Sequence, residues 1–465
     1  MKSPTRIFTT VVAACAFLIF FGEPCSAQAR RPNIVVIVAD DMGYADIGVH
    51  GSKDIPTPNI DSLVRNGVRF TDAYVSGPYC SPTRAGLMTG KYPQRFGPEF
   101  NILEHREEHH NAGLPLTERT MADHLKAAGY NTALFGKWHL GESPHFRPME
   151  RGFDEFFGFL RGQHSYKSPT ITNNNPLYEG KKPVAESDYL TDVLADRAAE
   201  FIKRKRTQPF FLYLAFNAVH TPMEATEQYL ARFGHIREEP RRTYAAMLAA
   251  MDDGIGKTLE SLRAANLEEN TLIFFFSDNG GPTLVGGING SNNAPLKGSK
   301  RTTWEGGIRV PFMVQWKGKI AGGKTYSHPV IQLDVLPTAL AAAGIETQPQ
   351  SSLDGVNLLP FINGKSSKRR PHDTLYWRLG GIMAIRQGDW KLIRMSENGF
   401  LEEPRGLDGL AGLELYNLKN DIGESQNLIS KNQKLANAMA ANWQEWTKEL
   451  GKPGWLPLKP LGQIP

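Results

Sequence analysis

NIVVIVADD, residues 33–41, decides the fold. Ile34 to Val38 is an unbroken β-branched run with no polar alternation. A strand with one wet face alternates, so this one must be covered on both faces, as strands of parallel sheets are. It stops abruptly at Asp40-Asp41, with Gly43 close behind. Three more runs share this form. Pro209 to Phe216 leads into Asn217 and His220-Thr221-Pro222; Thr271 to Phe276 leads into Ser277-Asp278-Asn279-Gly280. Thr132 to Phe135 leads into Gly136-Lys137-Trp138-His139.

Helical patterns separate these strands. Ile60 to Asn66 stops at Gly67, Thr117 is expected to cap a helix running to about Ala128, and Tyr244 to Ala265 is a longer amphipathic helix. The alternation predicts an α/β fold: a large, mostly parallel sheet with helices on both faces. Ligands of such sheets gather beyond the carboxyl ends of the strands. Every polar cluster above lies at such an end, so they are expected to converge.

Alone, Asp40-Asp41 reads equally as a helix cap, and Asp278-Asn279-Gly280 as a turn. Together they form an all-oxygen donor set that invites a hard cation. Calcium accepts six to eight such oxygens; magnesium takes fewer and keeps more water. Asp252-Asp253, inside the long helix, reads as helix surface. Lys137, His139 and His220 follow buried strands at the same end, and Lys300 lies in a glycine-rich loop after the Thr271 strand. That loop lacks the spacing of a nucleotide P-loop.

At the N-terminus, Lys2 and Arg6 precede an apolar run from Val11 to Phe21, followed by small residues at Cys25-Ser26-Ala27 and Ala29. This is the layout of a secretory signal peptide spanning 1–29, cleaved after Ala27 or Ala29. Val12-Ala13-Ala14-Cys15 leaves a lipoprotein anchor as a minor alternative. The expected protein is exported, periplasmic or secreted, without a stable membrane span. Formal net charge is +5 and falls to +4 without the leader, a mild balance that fits an anionic substrate. Of three cysteines only Cys80 lies beyond the leader, so no internal disulfide framework is possible.

Cys80-Ser81-Pro82-Thr83-Arg84 with Ala85-Gly86-Leu87-Met88-Thr89-Gly90 closely resembles the signature of the formylglycine-dependent (type I) sulfatases, a branch of the alkaline-phosphatase-like superfamily. The blocks beginning at Asp40, Gly136, Ser277 and Thr302, and the run Glu414 to Leu418, resemble that family's other motifs in the same order. The resemblance implies a sulfuric ester hydrolase with a small C-terminal α/β subdomain. It implies calcium held by Asp40, Asp41, Asp278, Asn279 and the residue at Cys80. Cys80 itself would be oxidised to formylglycine by a maturation enzyme. One hydroxyl of the aldehyde hydrate would attack the sulfur, and the other would later expel sulfate. Arg84 would fix those hydroxyls, and Lys137 and Lys300 would neutralise sulfate oxygens. His220 is expected as the acid for the leaving alcohol and His139 as partner of the hydrate.

The sequence departs from the family near Phe157 to Ser165, where Gly162 stands at a position polar in some relatives, with Arg161 and His164 beside it. These two, with His105, Trp377 and Arg378, are the candidate substrate contacts; a basic, aromatic rim suggests a sulfated glycan. The expected domains are 30–370, catalytic, and 371–465, a subdomain with an antiparallel sheet. Lys365 to Pro371 reads as a solvated linker and not a nucleic-acid patch. Two alternatives stand beside the sulfatase: a phosphoesterase or phosphonate hydrolase on the same scaffold, and a non-catalytic glycan-binding protein if Cys80 is never matured.

Overall fold

The computed structural model describes, besides Met1, residues 31–103, 111–167, 175–185, 188–283, 289–346, 353–364, 369–396 and 399–455. The expected signal peptide, His105 and the proline-rich tail beyond 455 lie outside these residues.

The NIVVIVA run is a strand, Asn33–Ala39, buried along its whole length. It pairs in parallel with Phe210–Ala215 on one side and Thr271–Ser277 on the other. Asn131–Lys137 extends the sheet beyond Phe210–Ala215, again in parallel, and Glu155–Phe159 follows it. Short edge strands bring the described sheet to ten, with antiparallel pairs only toward its margins.

The period of two divides each central strand between two cores. Val35, Ile37, Leu212, Leu214, Ile273 and Phe275 pack on one face under the helices Leu190–Lys203 and Glu239–Ala264. Ile34, Val36, Val38, Phe211, Tyr213, Leu272 and Phe274 pack on the other, beneath Met121–Ala127 and Val335–Ala342. No helix among the described residues is long and apolar enough to cross a membrane.

Register then sets the site. Ala39 pairs with Ser277 and Val38 with Ala215, which itself pairs with Gly136. Asp40, Asp278 and Lys137 therefore emerge side by side at one edge. Gly136 allows the close pairing: it takes φ 116°, and a Cβ there would lie 1.8 Å from the Ala215 carbonyl oxygen.

Two expectations need correction. The third helix runs Met121–Ala127 and is capped by Thr120, not Thr117; Thr120 and Asp123 exchange side-chain-to-backbone bonds in a capping box. Asp252 is not helix surface. It is buried, and its carboxylate accepts from the backbone N–H groups of Asn59 and Ile60, capping the helix Pro58–Arg65 from outside. Its neighbour Asp253 does face outward, paired with Arg232 at 2.6 Å.

A second, four-stranded antiparallel sheet is formed by Thr374–Leu379, Ile382–Gln387, Trp390–Arg394 and Glu414–Asn417. The helix Gln433–Thr447 packs on it through Met439, Trp443 and Trp446.

Candidate active site

Cys80 opens the helix Cys80–Thr89, whose ten residues are all buried. Tyr79 is the N-cap in extended conformation, and Gly90 closes the helix at φ 66°. Position 80 thus sits at the positive end of a helix, where backbone N–H groups favour an anion. The Cys80 thiol lies 3.7 Å from Asp40 Oδ1. Burial pushes it up to about 11 against the pull of Lys137 and Lys300, so it is a protonated thiol at neutral pH.

Around it three carboxylates meet three cations. Lys137 Nζ donates to Asp40 at 2.6 Å, and Lys300 Nζ lies 2.6 Å from Asp41 Oδ1. Arg84, four residues on from Cys80, donates from both Nε and an η nitrogen to Asp278 Oδ2. Its other η nitrogen reaches the Lys137 carbonyl at 3.0 Å. Burial raises Asp41, but the charge and hydrogen bond of Lys300, with the hydrogen bond from Asn279, outweigh it and hold the carboxyl well below the usual range. Asp278 goes the other way, up to about 6, because burial and the adjacent Asp40 outweigh Arg84. The carboxylates therefore already have counter-charges, and clustering alone does not demand a metal.

Three finer observations do point to a cation. One donor atom each from Asp40, Asp41, Cys80 and His220 lies within 4.8 Å of the others. His220 Nδ1 is 2.7 Å from the Thr221 carbonyl, which as an acceptor fixes the proton there. The Nε2 lone pair then faces Asp41 Oδ2 at 3.5 Å, two acceptors with no hydrogen between them. Burial, Lys300 and Lys137 bring His220 down to about 3, so it does not supply that proton itself. Finally, Asn279 donates to Asp41 at 2.7 Å while its Oδ1 is buried without a donor. Such a donor set fits a divalent cation.

His139 Nε2 lies 3.3 Å from the Ile102 carbonyl, and burial with Lys137 holds the ring neutral. Gly162 packs on this ring: a Cβ there would stand 2.8 Å from His139 Cε1, so a side chain at 162 would collide with it. Arg161 is paired with Glu142 at 2.7 Å. His164 is buried beside the Phe159 ring, with Nδ1 2.8 Å from the Ser165 carbonyl.

The expected rim is not where the sequence suggested. Trp377 is fully buried, its indole N–H donating to the Val75 carbonyl at 2.7 Å, and it cannot stack on a sugar. Arg378 is spent on a bidentate, buried pair with Glu99. Other residues at the site carry little sequence signal. Tyr166 donates its hydroxyl to the His220 carbonyl at 2.8 Å, and Asn289 donates to the Val219 carbonyl at 2.9 Å. Tyr79 and Arg301, the chain neighbours of Cys80 and Lys300, pack together at the site's outer side. Adjacency to those two residues was the available signal.

Comparison with known proteins agrees with this architecture. The family model described as Sulfatase matches residues 32–345, and that described as N-sulphoglucosamine sulphohydrolase, C-terminal, matches 298–449. N-acetylgalactosamine-6-sulfatase of Homo sapiens is 34% identical over 388 residues, covering 80% of this chain and 73% of that one. Arylsulfatase A of Homo sapiens is 32% identical, covering 87% and 84%. A solved structure, "Crystal structure of Ps i-CgsB in complex with k-i-k-neocarrahexaose", superposes with a TM-score of 0.83 at 38% identity, covering 92% of this chain and 95% of its own. The chain belongs to the type I sulfatase family of the alkaline-phosphatase-like superfamily. It is a sulfuric ester hydrolase.

Proposed function

We propose that this sulfatase is exported, acts on a sulfated glycan and works through a formylglycine made from Cys80 beside a bound calcium ion. The observation that carries the reading is the mismatch at position 80. A soft, protonated thiol sits among hard oxygen donors at a helix N-terminus. Conversion to an aldehyde by a maturation enzyme removes the mismatch, because its hydrate presents oxygen. That hydrate would supply one hydroxyl to attack the sulfur and another to expel sulfate.

The other roles fall to the chain's own residues. Asp40, Asp41, Asp278 and Asn279 would hold the calcium, which would supply charge to polarise the sulfate. With three cations already balancing three carboxylates, an added divalent ion leaves the pocket net positive and ready for an anion. Lys137 and Lys300 neutralise sulfate oxygens as charge builds in transfer. Arg84, anchored on Asp278, orients the residue at position 80. His139 would serve as partner of the hydrate and His220 would act on the leaving oxygen. In this reading 30–370 forms the catalytic domain and 371–465 a supporting subdomain. The glycan assignment draws on the 38% identical neighbour, whose name carries a neocarrahexaose.

Relative turnover tests this reading. The purified exported protein should hydrolyse an aryl sulfate far faster than the matching aryl phosphate, and should release sulfate from at least one sulfated oligosaccharide. Preference for the phosphate would transfer the assignment to phosphoesterase chemistry.

A further inference from the structure

The helix that carries position 80 is capped from outside. Its N-cap residue, Tyr79, makes no side-chain capping bond. The third helical residue is Pro82, which has no N–H, so the Ser81 N–H is the donor that a cap would serve. The Thr83 N–H already donates to the Tyr79 carbonyl at 3.2 Å. Ser81 N–H donates to Asn101 Oδ1 at 2.9 Å, a residue twenty positions further along the chain. The next carbonyl, that of Ile102, stands 3.3 Å from His139 Nε2. Two consecutive residues of one segment thus touch the start of the position-80 helix and the ring of His139.

That segment is held in turn by the small sheet. Glu99 is buried; it accepts from Arg378 Nε and an η nitrogen at 3.0 and 2.7 Å, and from the Gly380 N–H at 3.0 Å. Gln94 donates to the Arg378 carbonyl at 2.9 Å. Phe100 and Ile102 pack in one apolar cluster with Leu379, Ile382 and Trp455. A buried ion pair adds little net stability over an apolar pair of the same size. A bidentate fork does fix a direction, here that of Glu99, two residues before Asn101.

We propose that Asn101 is a positioning residue for sulfate transfer, kept in place by the Glu99–Arg378 pair. Asn101 pins the first turn of the helix, and so the direction in which position 80 presents its reacting oxygen. The Ile102 carbonyl sets His139 against it. The proposal rests on the reading of position 80 as the attacking residue. An error of about 1 Å in such a placement can lower a rate about 100-fold. The small sheet thereby acts on the rate through residues 99–102, and not as a rim for the substrate.

Kinetics on a small aryl sulfate test this, with kcat expressed per aldehyde counted by hydrazide labelling. Asn101→Ala should lower kcat about tenfold or more and leave KM within about twofold. A cap with only a structural role would lower Tm and leave kcat unchanged. Glu99→Gln with Arg378→Met removes both buried charges together and should loosen the same segment. Combined with Asn101→Ala, it should lower kcat no further than the worse of the two. Independent roles would multiply the losses, and that result would overturn the proposal. So would a kcat for Asn101→Ala within about twofold of the parent protein, or a loss lying in KM alone, which marks a substrate contact instead. Asn101 is only partly buried, so its single variant decides the case even where the paired variant does not fold. Activity in a parent protein without the aldehyde would instead fault the reading of position 80.

Discussion

Asp40 and Asp41 are adjacent in the chain yet answer different cations, Lys137 and Lys300, because Asp41 takes a left-handed backbone at φ 62° and turns away from the strand. That division makes each lysine a buried counter-charge as well as a group for sulfate. Lys137→Ala should therefore leave Asp40 buried without its closest partner and destabilise the protein by about 3 kcal/mol. If a divalent ion belongs in this cluster, calcium should raise the Tm of Lys137→Ala more than that of the parent protein. Equal shifts, or none, would remove the cluster as an ion site. The sequence made Cys80, Asp40 and Asp278 legible because each lies at a strand or helix end, and Lys300 because it lies in a glycine-rich loop. Trp377 has the chemistry of a sugar platform but the position of a core residue. In Thr374–Leu379 it shares a face with Leu375, and the period of two sends both inward.

Elements were legible wherever the apolar pattern was long, and their ends were not. The central strands match their sequence readings to within about two residues. The helix after Thr117 starts three residues later, since only Thr120 has Asp123 at the spacing of a reciprocal cap. Asp252 was illegible for a different reason: its partners, Asn59 and Ile60, are nearly 200 residues away, a separation local pattern does not encode. It holds the helix Pro58–Arg65 onto Glu239–Ala264 through three accepted hydrogen bonds. Asp252→Ala should cost about 2 kcal/mol, and Asp253→Ala less than about 0.5 kcal/mol, because its pair with Arg232 is exposed. Comparable losses in chemical denaturation would mean that the capping contact contributes little.

On the scale of the molecule, a buried polar network ties the small sheet to the helix Glu305–Ile308 and to Tyr74. Lys391 lies between Glu305 and Glu424 at 2.9 and 2.8 Å; Glu305 also receives Arg309 and the Tyr74 hydroxyl. Glu305 begins the helix Glu305–Ile308, five residues after Lys300, so the small sheet braces the segment next to the loop that supplies a site cation. Burial raises Glu305, but Lys391 and Arg309 outweigh it and bring it down to about 2. Glu424, buried and facing Glu305, is pushed up to about 7 despite Lys391. The folded protein holds this proton more tightly than the unfolded chain does. The stabilisation is complete below the ordinary value of 4.5 and is lost as pH rises through about 7. Tm should therefore decline between about pH 5 and about pH 8, and Glu424→Gln should flatten that decline. An unchanged slope in the variant would assign the decline to other groups.

The central claim, that sulfate hydrolysis here runs through an aldehyde at position 80, meets its most direct test in one peptide. Trypsin should release Phe70 to Arg84 intact, since Arg69 and Arg84 flank it. In active exported protein that peptide should be lighter than its cysteine form, resist thiol alkylation and react with a hydrazide. An active preparation whose peptide carries only unmodified Cys80 would contradict the account.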